Sequence, residues 1–231
     1  MTSEKILKME NKTFIKEYFV SLQGEGPYVG CNQLFIRFSN CNLKCNYCDT
    51  DFKSNLKEFT VDELTSLINN TNNIHSVSLT GGEPLLDVDF LNEVLAKTNK
   101  KIYLETNGTL FENLEKIINL IDIVSMDIKL NSTTKMGDLF DKHEKFIEVA
   151  NKANKELFIK IVFDENITED EIEKSILLAK KHNSLIVLQP KMDGMKLNIS
   201  SDFIQKTYNK FNEKYSNVRL IPQVHKFINI E

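Results

Sequence analysis

Short apolar runs alternate along the chain with longer stretches in which apolar residues return at helical spacing. Read this way, strands are predicted at residues 14–20, 33–38, 74–80, 101–106, 121–128, 156–163, 185–188 and 218–221. Helices are predicted from Thr60 to about residue 69, at 87–97, 110–120 and 142–153, from Thr168 to about residue 182, and at 202–214. Two of them open with a capping box, Thr60-Val61-Asp62-Glu63 and Thr168-Glu169-Asp170-Glu171, in which hydroxyl and carboxylate satisfy each other's orphan amides. Strand followed by helix, repeated, implies the α/β class with a parallel sheet and helices outside it. Roughly six βα units would make an open, partial barrel, and polar motifs recur just after the strands, where such folds place their ligands.

Composition narrows the class. With 231 residues and 41% hydrophobic residues the chain suits one domain, residues 1–231, and it carries no solenoid repeat, low-complexity linker or long charge block. No apolar stretch approaches bilayer length, and Met1 to Asn11 mixes charge with polarity instead of forming a signal-peptide core. A cytoplasmic location is expected, with no membrane partner. A net charge of −4 offers no basic footprint for nucleic acid. Positive charge is nearly all lysine, arginine occurring only at Arg37 and Arg219. Arg37, four residues before Cys41, is a candidate for gripping a carboxylate through its planar fork; a surface ion pair is the plain alternative.

The chemistry begins at Cys41-Asn42-Leu43-Lys44-Cys45-Asn46-Tyr47-Cys48. Four cysteines, three of them clustered, are not a secreted disulfide framework. Zinc and iron–sulfur sites usually close with four protein ligands. Three grouped thiolates suit a cube with one iron left open to a substrate or cofactor. Structural zinc, with Cys31 or a histidine as fourth ligand, is the competing reading, although Cys31 lies before an entire predicted strand and reads as a small buried residue. Gly81-Gly82-Glu83-Pro84 ends another strand; its glycines would let a ligand approach the backbone, or would simply turn the chain.

Cys41-x3-Cys45-x2-Cys48 together with Gly81-Gly82-Glu83-Pro84 resembles the radical S-adenosylmethionine superfamily. Within it, Ser21-Leu22-Gln23-Gly24-Glu25-Gly26, Phe35-Ile36-Arg37-Phe38, Cys48-Asp49-Thr50-Asp51 and Gln223-Val224-His225-Lys226 resemble the 7-carboxy-7-deazaguanine synthases, over nearly the whole chain from about Phe14. The resemblance implies a radical ring contraction of 6-carboxy-tetrahydropterin with loss of ammonia, in queuosine or 7-deazapurine biosynthesis. It implies that Cys41, Cys45 and Cys48 ligate a 4Fe-4S cluster. Tyr47, Cys48, Asp49, Gly82, Ser125, Asp127, Lys129 and Gln189 would border S-adenosylmethionine. Leu22, Gln23, Gly24, Glu25, Arg37 and Thr80 would bind the substrate, and Thr50 would hold Mg2+. Gln23 and Glu25 suit the amide-like edge of a pterin, Arg37 its carboxylate, and Glu25 is a candidate proton relay. A flavodoxin- or ferredoxin-type electron donor and a homodimer are implied as well.

Other residues read more plainly. Tyr47 shields the cluster, packs on an adenine, or simply packs. Thr50 caps a turn if it holds no metal, and Asp51 turns the chain. Glu105-Thr106-Asn107-Gly108 touches the cofactor or forms an ordinary turn. His75, His143 and His182 lack a partnering motif and are expected to be exposed, and residues 142–156 read as a solvated helix face. His225 belongs to a closing tail, residues 222–231, expected to fold over the mouth with His225 lining the substrate site and the carboxylate of Glu231 reaching substrate, while residues 21–27 form an N-terminal substrate loop. Only one helix is predicted between Cys48 and Gly81, so the barrel is trimmed and loop and tail must exclude water. A glycyl-radical activase shares the cysteine spacing but needs a peptide groove, not a pterin clamp; a zinc-stabilised binding module would be non-catalytic.

Overall fold

The computed structural model of the chain describes residues 11–46, 48 and 54–230. In chain order the strands are β1 (Lys12–Leu22), β2 (Asn32–Phe38), β3 (Lys57–Thr60), β4 (Ser76–Gly81), β5 (Ile102–Thr106), β6 (Ile123–Ile128), β7 (Glu156–Phe163), β8 (Leu185–Pro190), the hairpin β9 (Met192–Asp193) and β10 (Lys196–Leu197), and β11 (Val218–Leu220). The helices are α1 (Val61–Asn70), α2 (Val88–Leu95), α3 (Phe111–Ile117), α4 (Asn131–Thr134), α5 (Phe140–Lys152), α6 (Glu169–His182), α7 (Ser201–Lys214) and α8 (Val224–Ile228). Among the described residues nine strands form one sheet, ordered β11-β8-β7-β6-β5-β4-β2-β1-β3. From β2 to β11 every neighbouring pair is parallel, and β1 runs antiparallel to both β2 and β3. The sheet stays open, with β11 and β3 at its edges, so the α/β reading with strand–helix crossovers holds.

Both capping boxes form as the sequence requires: Glu63 N donates to Thr60 Oγ1 and Glu171 N to Thr168 Oγ1. Five short elements escaped the sequence reading: β3, the hairpin strands β9 and β10, and the one-turn helices α4 and α8. β3 is an edge strand of Lys57, Glu58, Phe59 and Thr60 whose exposure leaves no apolar alternation to detect. The single-turn pair α4 and α8 is polar or partly exposed, too short for a helical period to register.

The register divides each inner strand between two environments. Leu34, Ile36, Val77, Leu79, Leu104 and Ile161 point toward the helices and join the main apolar core. Each such side chain, fully withdrawn from water, contributes about 1.5–3 kcal/mol. Residues of the other parity line the opposite face, where Arg37 pairs with Thr80, Glu105 with Ser125, Asp127 with Lys160 and Val162 with Gln189. The lower part of this face is sealed by Tyr103, Ile123, Phe158 and Val187, with Tyr28 and Ile221 packed on them. The upper part, at the carboxyl ends of the strands, is polar.

Candidate active site

The polar ends enclose a cavity of about 570 Å³. Cys41, Cys45 and Cys48 line it from the loop after β2, together with Glu25, Arg37, Thr80, Gly82, Asp127, Lys129, Lys160, Gln189 and Gln223. None of the four cysteines is disulfide-bonded.

The cysteine loop is braced from the neighbouring strand ends. Asn107 Nδ2 donates to Asn42 Oδ1 at 2.8 Å, Asn42 Nδ2 donates to Thr109 Oγ1 at 2.9 Å, and Leu43 N lies 3.4 Å from Cys41 Sγ. The segment Glu105–Gly108 therefore carries the loop in addition to contributing to the cavity wall. Burial pushes the thiols of Cys41 and Cys45 up, opposed in both by the nearby Lys129 ammonium. Metal binding here must displace protons, and the lysine favours the thiolate form.

The Gly81-Gly82 turn serves chain against chain. A Cβ on Gly82 would sit 1.9 Å from the Asn40 carbonyl oxygen, and Glu83 N donates to that same oxygen at 2.6 Å. The missing side chain lets the end of β4 press on the root of the cysteine loop, a role the ligand-approach reading did not anticipate. Glu83 is fully buried and accepts from Leu85 N, Thr106 Oγ1 and Asn107 N, stapling the ends of β4 and β5. Burial raises its carboxyl to about 7 in spite of those donors.

Opposite the cysteines stands the N-terminal loop. Gln23 is buried: its Nε2 donates to Gln33 Oε1 at 3.0 Å and Glu105 Oε1 at 2.9 Å, and its Oε1 accepts from Glu25 N at 3.0 Å. Glu105 also accepts from Ser78 at 3.2 Å and from Thr80 at 3.1 Å. The Glu25 carboxylate meets Lys160 Nζ and accepts from Gln223 Nε2 at 2.7 Å. Lys160 Nζ is also 3.3 Å from Asp127 Oδ1, while Lys129 Nζ donates to Asp127 Oδ2 at 2.8 Å. Burial would raise the Glu25 carboxyl, but the Lys160 charge and hydrogen bond, with help from Gln223 and His225, hold it at about 2. Arg37 donates through Nε to Glu17 Oε1 at 2.8 Å and still lines the cavity, so it is an ion-pair member and a wall residue together.

The C-terminal segment crosses onto this loop. Val224 N donates to Gly24 O at 2.9 Å. A Cβ on Gly24 would lie 2.1 Å from His225 Nδ1, so glycine is what admits the imidazole. Gln223 and Lys226 reach the cavity wall, whereas half-buried His225 packs on Gly24. Burial lowers the His225 pKa.

Of the residues singled out from sequence, the cavity wall gathers Cys41, Cys45, Cys48, Glu25, Arg37, Thr80, Gly82, Asp127, Lys129 and Gln189. Leu22, Gln23, Gly24, Ser125 and His225 stand behind or beside it. Tyr47, Asp49, Thr50, Asp51 and Glu231 lie outside the described residues. The expectation that the histidines are exposed fails at two positions: His143 is fully buried, its Nε2 donating to Asn107 O at 3.1 Å, and His182 is half-buried; His75 is exposed. Cys31 is half-buried rather than fully inside. Lys160 went unnoticed, though a lone charge inside the apolar run Leu157–Phe163 was a usable signal.

The cysteine geometry separates the two metal readings. Sulfurs on one zinc, each about 2.3 Å from it, lie only about 3.8 Å apart. Among the described residues, ligand atoms of three groups converge within 4.8 Å only at Glu144, Glu148 and His182, on the helix side, where Lys181 already holds Glu144. Cys31 precedes β2 and Cys41 follows it, at opposite ends of a seven-residue strand some 20 Å long. A structural zinc completed by Cys31 therefore does not fit this placement of the cysteines.

The radical SAM superfamily profile matches residues 35–179, which sets the class of the fold and its cysteine loop. The 7-carboxy-7-deazaguanine synthase of Geobacter sulfurreducens is 35% identical over 242 residues, spanning 93% of this chain and 96% of its own. That of Archaeoglobus fulgidus is 35% identical over 227 residues, spanning 93% and 97%. The chain belongs to the radical SAM superfamily and, within it, to the 7-carboxy-7-deazaguanine synthase family. The crystal structure of QueE from Escherichia coli shares the fold, with a TM-score of 0.63 at 22% identity over 93% of this chain and 95% of that one. Among the described residues no helix is long and apolar enough to cross a membrane.

Proposed function

We infer that this chain is a lyase that contracts the ring of 6-carboxy-tetrahydropterin to 7-carboxy-7-deazaguanine with loss of ammonia, on the route to queuosine and other 7-deazapurines. The observation that carries the reading is one cavity wall holding three uncapped thiols on one side and Glu25, Arg37 and Thr80 on the other. Cys41, Cys45 and Cys48 would hold a 4Fe-4S cluster, which with S-adenosylmethionine would supply the hydrogen-abstracting radical chemistry.

The chain's own residues position and protect. Gly82, Asp127, Lys129, Gln189 and Ser125 would border the cofactor, and the resemblance adds Tyr47, Cys48 and Asp49. Lys129 offers an ammonium to a carboxylate. Arg37, anchored at Nε by Glu17, keeps its two terminal nitrogens for the substrate carboxylate. Glu25, held ionised, accepts N–H bonds from the pterin edge; with its pKa held so far below neutral pH it serves recognition rather than proton relay. Gln23 acts from behind, fixing the Glu25 amide and Glu105 instead of touching substrate. Thr50 would supply one oxygen ligand to Mg2+, which would neutralise charge near the substrate carboxylate. The N-terminal loop and the tail, with Leu22, Gly24 and His225, close over the mouth of the single domain, and the carboxylate of Glu231 would reach substrate. A flavodoxin- or ferredoxin-type reductant, a homodimeric state and a cytoplasmic location complete the proposal.

The glycyl-radical activase reading shares the cysteines, but the polar wall opposite them suits a small heterocycle rather than a peptide. Anaerobic reconstitution followed by reductant, S-adenosylmethionine and 6-carboxy-tetrahydropterin is the direct test. Brown, iron-loaded protein and a carboxylated deazaguanine product are expected, with both lost in Cys45→Ala. Colourless wild-type protein, or cofactor cleavage without that product, would refute it.

A further inference from the structure

The strand Glu156–Phe163 reads Glu-Leu-Phe-Ile-Lys-Ile-Val-Phe, and its one lysine, Lys160, points into the cavity rather than to bulk water. Only 5% of Lys160 is exposed. An ammonium so placed is costly unless paired, and replacing it with an apolar side chain would often serve packing better. Lys160 is paired twice, and its partners come from different parts of the chain. One is Glu25 on the N-terminal loop, the other Asp127 at 3.3 Å on β6. Asp127 is tied onward to Lys129 beside the cysteines, and Glu25 onward to Gln223 of the C-terminal segment. The lysine is thus the junction between the substrate side and the cofactor side.

We propose that Lys160 is a positioning residue: it holds the Glu25 carboxylate ionised and aimed at the substrate's N–H edge, and it ties that placement to Asp127 on the cofactor side. The inference rests on the reading of Glu25 as a substrate contact. Burial would pull the proton off an isolated lysine, yet Asp127, Glu25 and Glu105 keep Lys160 charged well beyond the ordinary range. In return Lys160 offsets the burial that would otherwise drive a proton onto Glu25. The groups facing Glu25 are Lys160 from β7, Gln223 and His225 from the C-terminal segment, Tyr103 and Glu105 from β5, and Asp127 from β6 across the lysine.

The test is steady-state kinetics of the cluster-loaded enzyme with 6-carboxy-tetrahydropterin from about pH 5.5 to 8.5. It compares wild type, Lys160→Met, Lys160→Arg, Glu25→Gln and the double variant Lys160→Met/Glu25→Gln. In Lys160→Met the substrate KM is expected to rise about tenfold or more, with a smaller change in kcat. Its KM should also climb further as pH falls, because the buried Glu25 carboxyl, freed of its counter-charge, now titrates within this range. Lys160→Arg should keep the wild-type shape. Glu25→Gln and the double variant should show raised KM without the acid limb. If Lys160→Met does not fold, Lys160→Gln retains an N–H donor without the charge and is expected to give the same limb. A Lys160 variant with wild-type KM and pH shape, while Glu25→Gln is impaired, overturns the role of Lys160 alone. An acid limb that survives in the double variant overturns it too. Unchanged KM in Glu25→Gln would overturn both this role and the substrate contact on which it rests.

Discussion

His143 illustrates what one buried side chain can do to the pH response. A carbonyl only accepts, so the 3.1 Å contact with Asn107 O puts the proton on Nε2 and leaves the buried Nδ1 bare, without a partner. Burial pushes the ring down from its ordinary value of 6.5 to about 4. Above pH 6.5 the ring is neutral whether the chain is folded or not, and its contribution to stability is complete. As pH falls toward 4, the unfolded chain takes up a proton that the folded ring refuses, and the contribution is lost. Between pH 7.5 and 5, urea unfolding of wild type should therefore lose about 2 kcal/mol more than that of His143→Phe. An equal pH response in both proteins would show that the ring is not held neutral. Sequence could not place this histidine: its position on a helix was clear, but the face it occupies depends on which strand end α5 meets. Glu83 was hidden for the same reason, whereas Lys160, a lone charge in an apolar strand, showed its burial locally but not its partners. The partners of a buried charge, distant in sequence, are legible only once the fold brings them to it.

Elements were far more legible. Every parallel strand, every long helix and both capping boxes were marked by local spacing and caps, because these features need only neighbours along the chain. What escaped were the edge strand β3, the two-residue hairpin strands β9 and β10 and the one-turn helices α4 and α8, too short for a pattern to register. Adjacent residues of β4 show how an element distributes its roles. Leu79 is fully buried among the helices, and Thr80 donates to Glu105 on the cavity face. Leu79→Ala should lower stability by about 2–5 kcal/mol, measured by denaturant unfolding. Thr80→Val removes a donor to Glu105 and should cost about 1–3 kcal/mol, with its larger effect a raised substrate KM. Reversed sensitivities would mean that the two faces are assigned the wrong way round.

At the scale of the molecule, the site is completed by segments from both ends of the described chain. The Gly24–Val224 hydrogen bond and the Glu25–Gln223 contact join the loop after β1 to the segment after β11. The resemblance located both segments by their motifs, but it did not foresee that they would grip each other, with His225 seated on Gly24. Gly24→Ala removes room for the imidazole, and removal of residues 227–231 deletes the end of α8. Each should raise the KM for the pterin about tenfold while iron content stays at the wild-type level. Wild-type KM in both would exclude the latch as a part of the binding site. The alternation of faces along the strands reaches beyond any single variant. Neighbouring codons of one strand answer to different selective pressures, one to the durability of the scaffold and the next to its chemistry. A lineage can therefore retune what the cavity accepts, one position at a time, on an inherited framework whose melting behaviour barely changes.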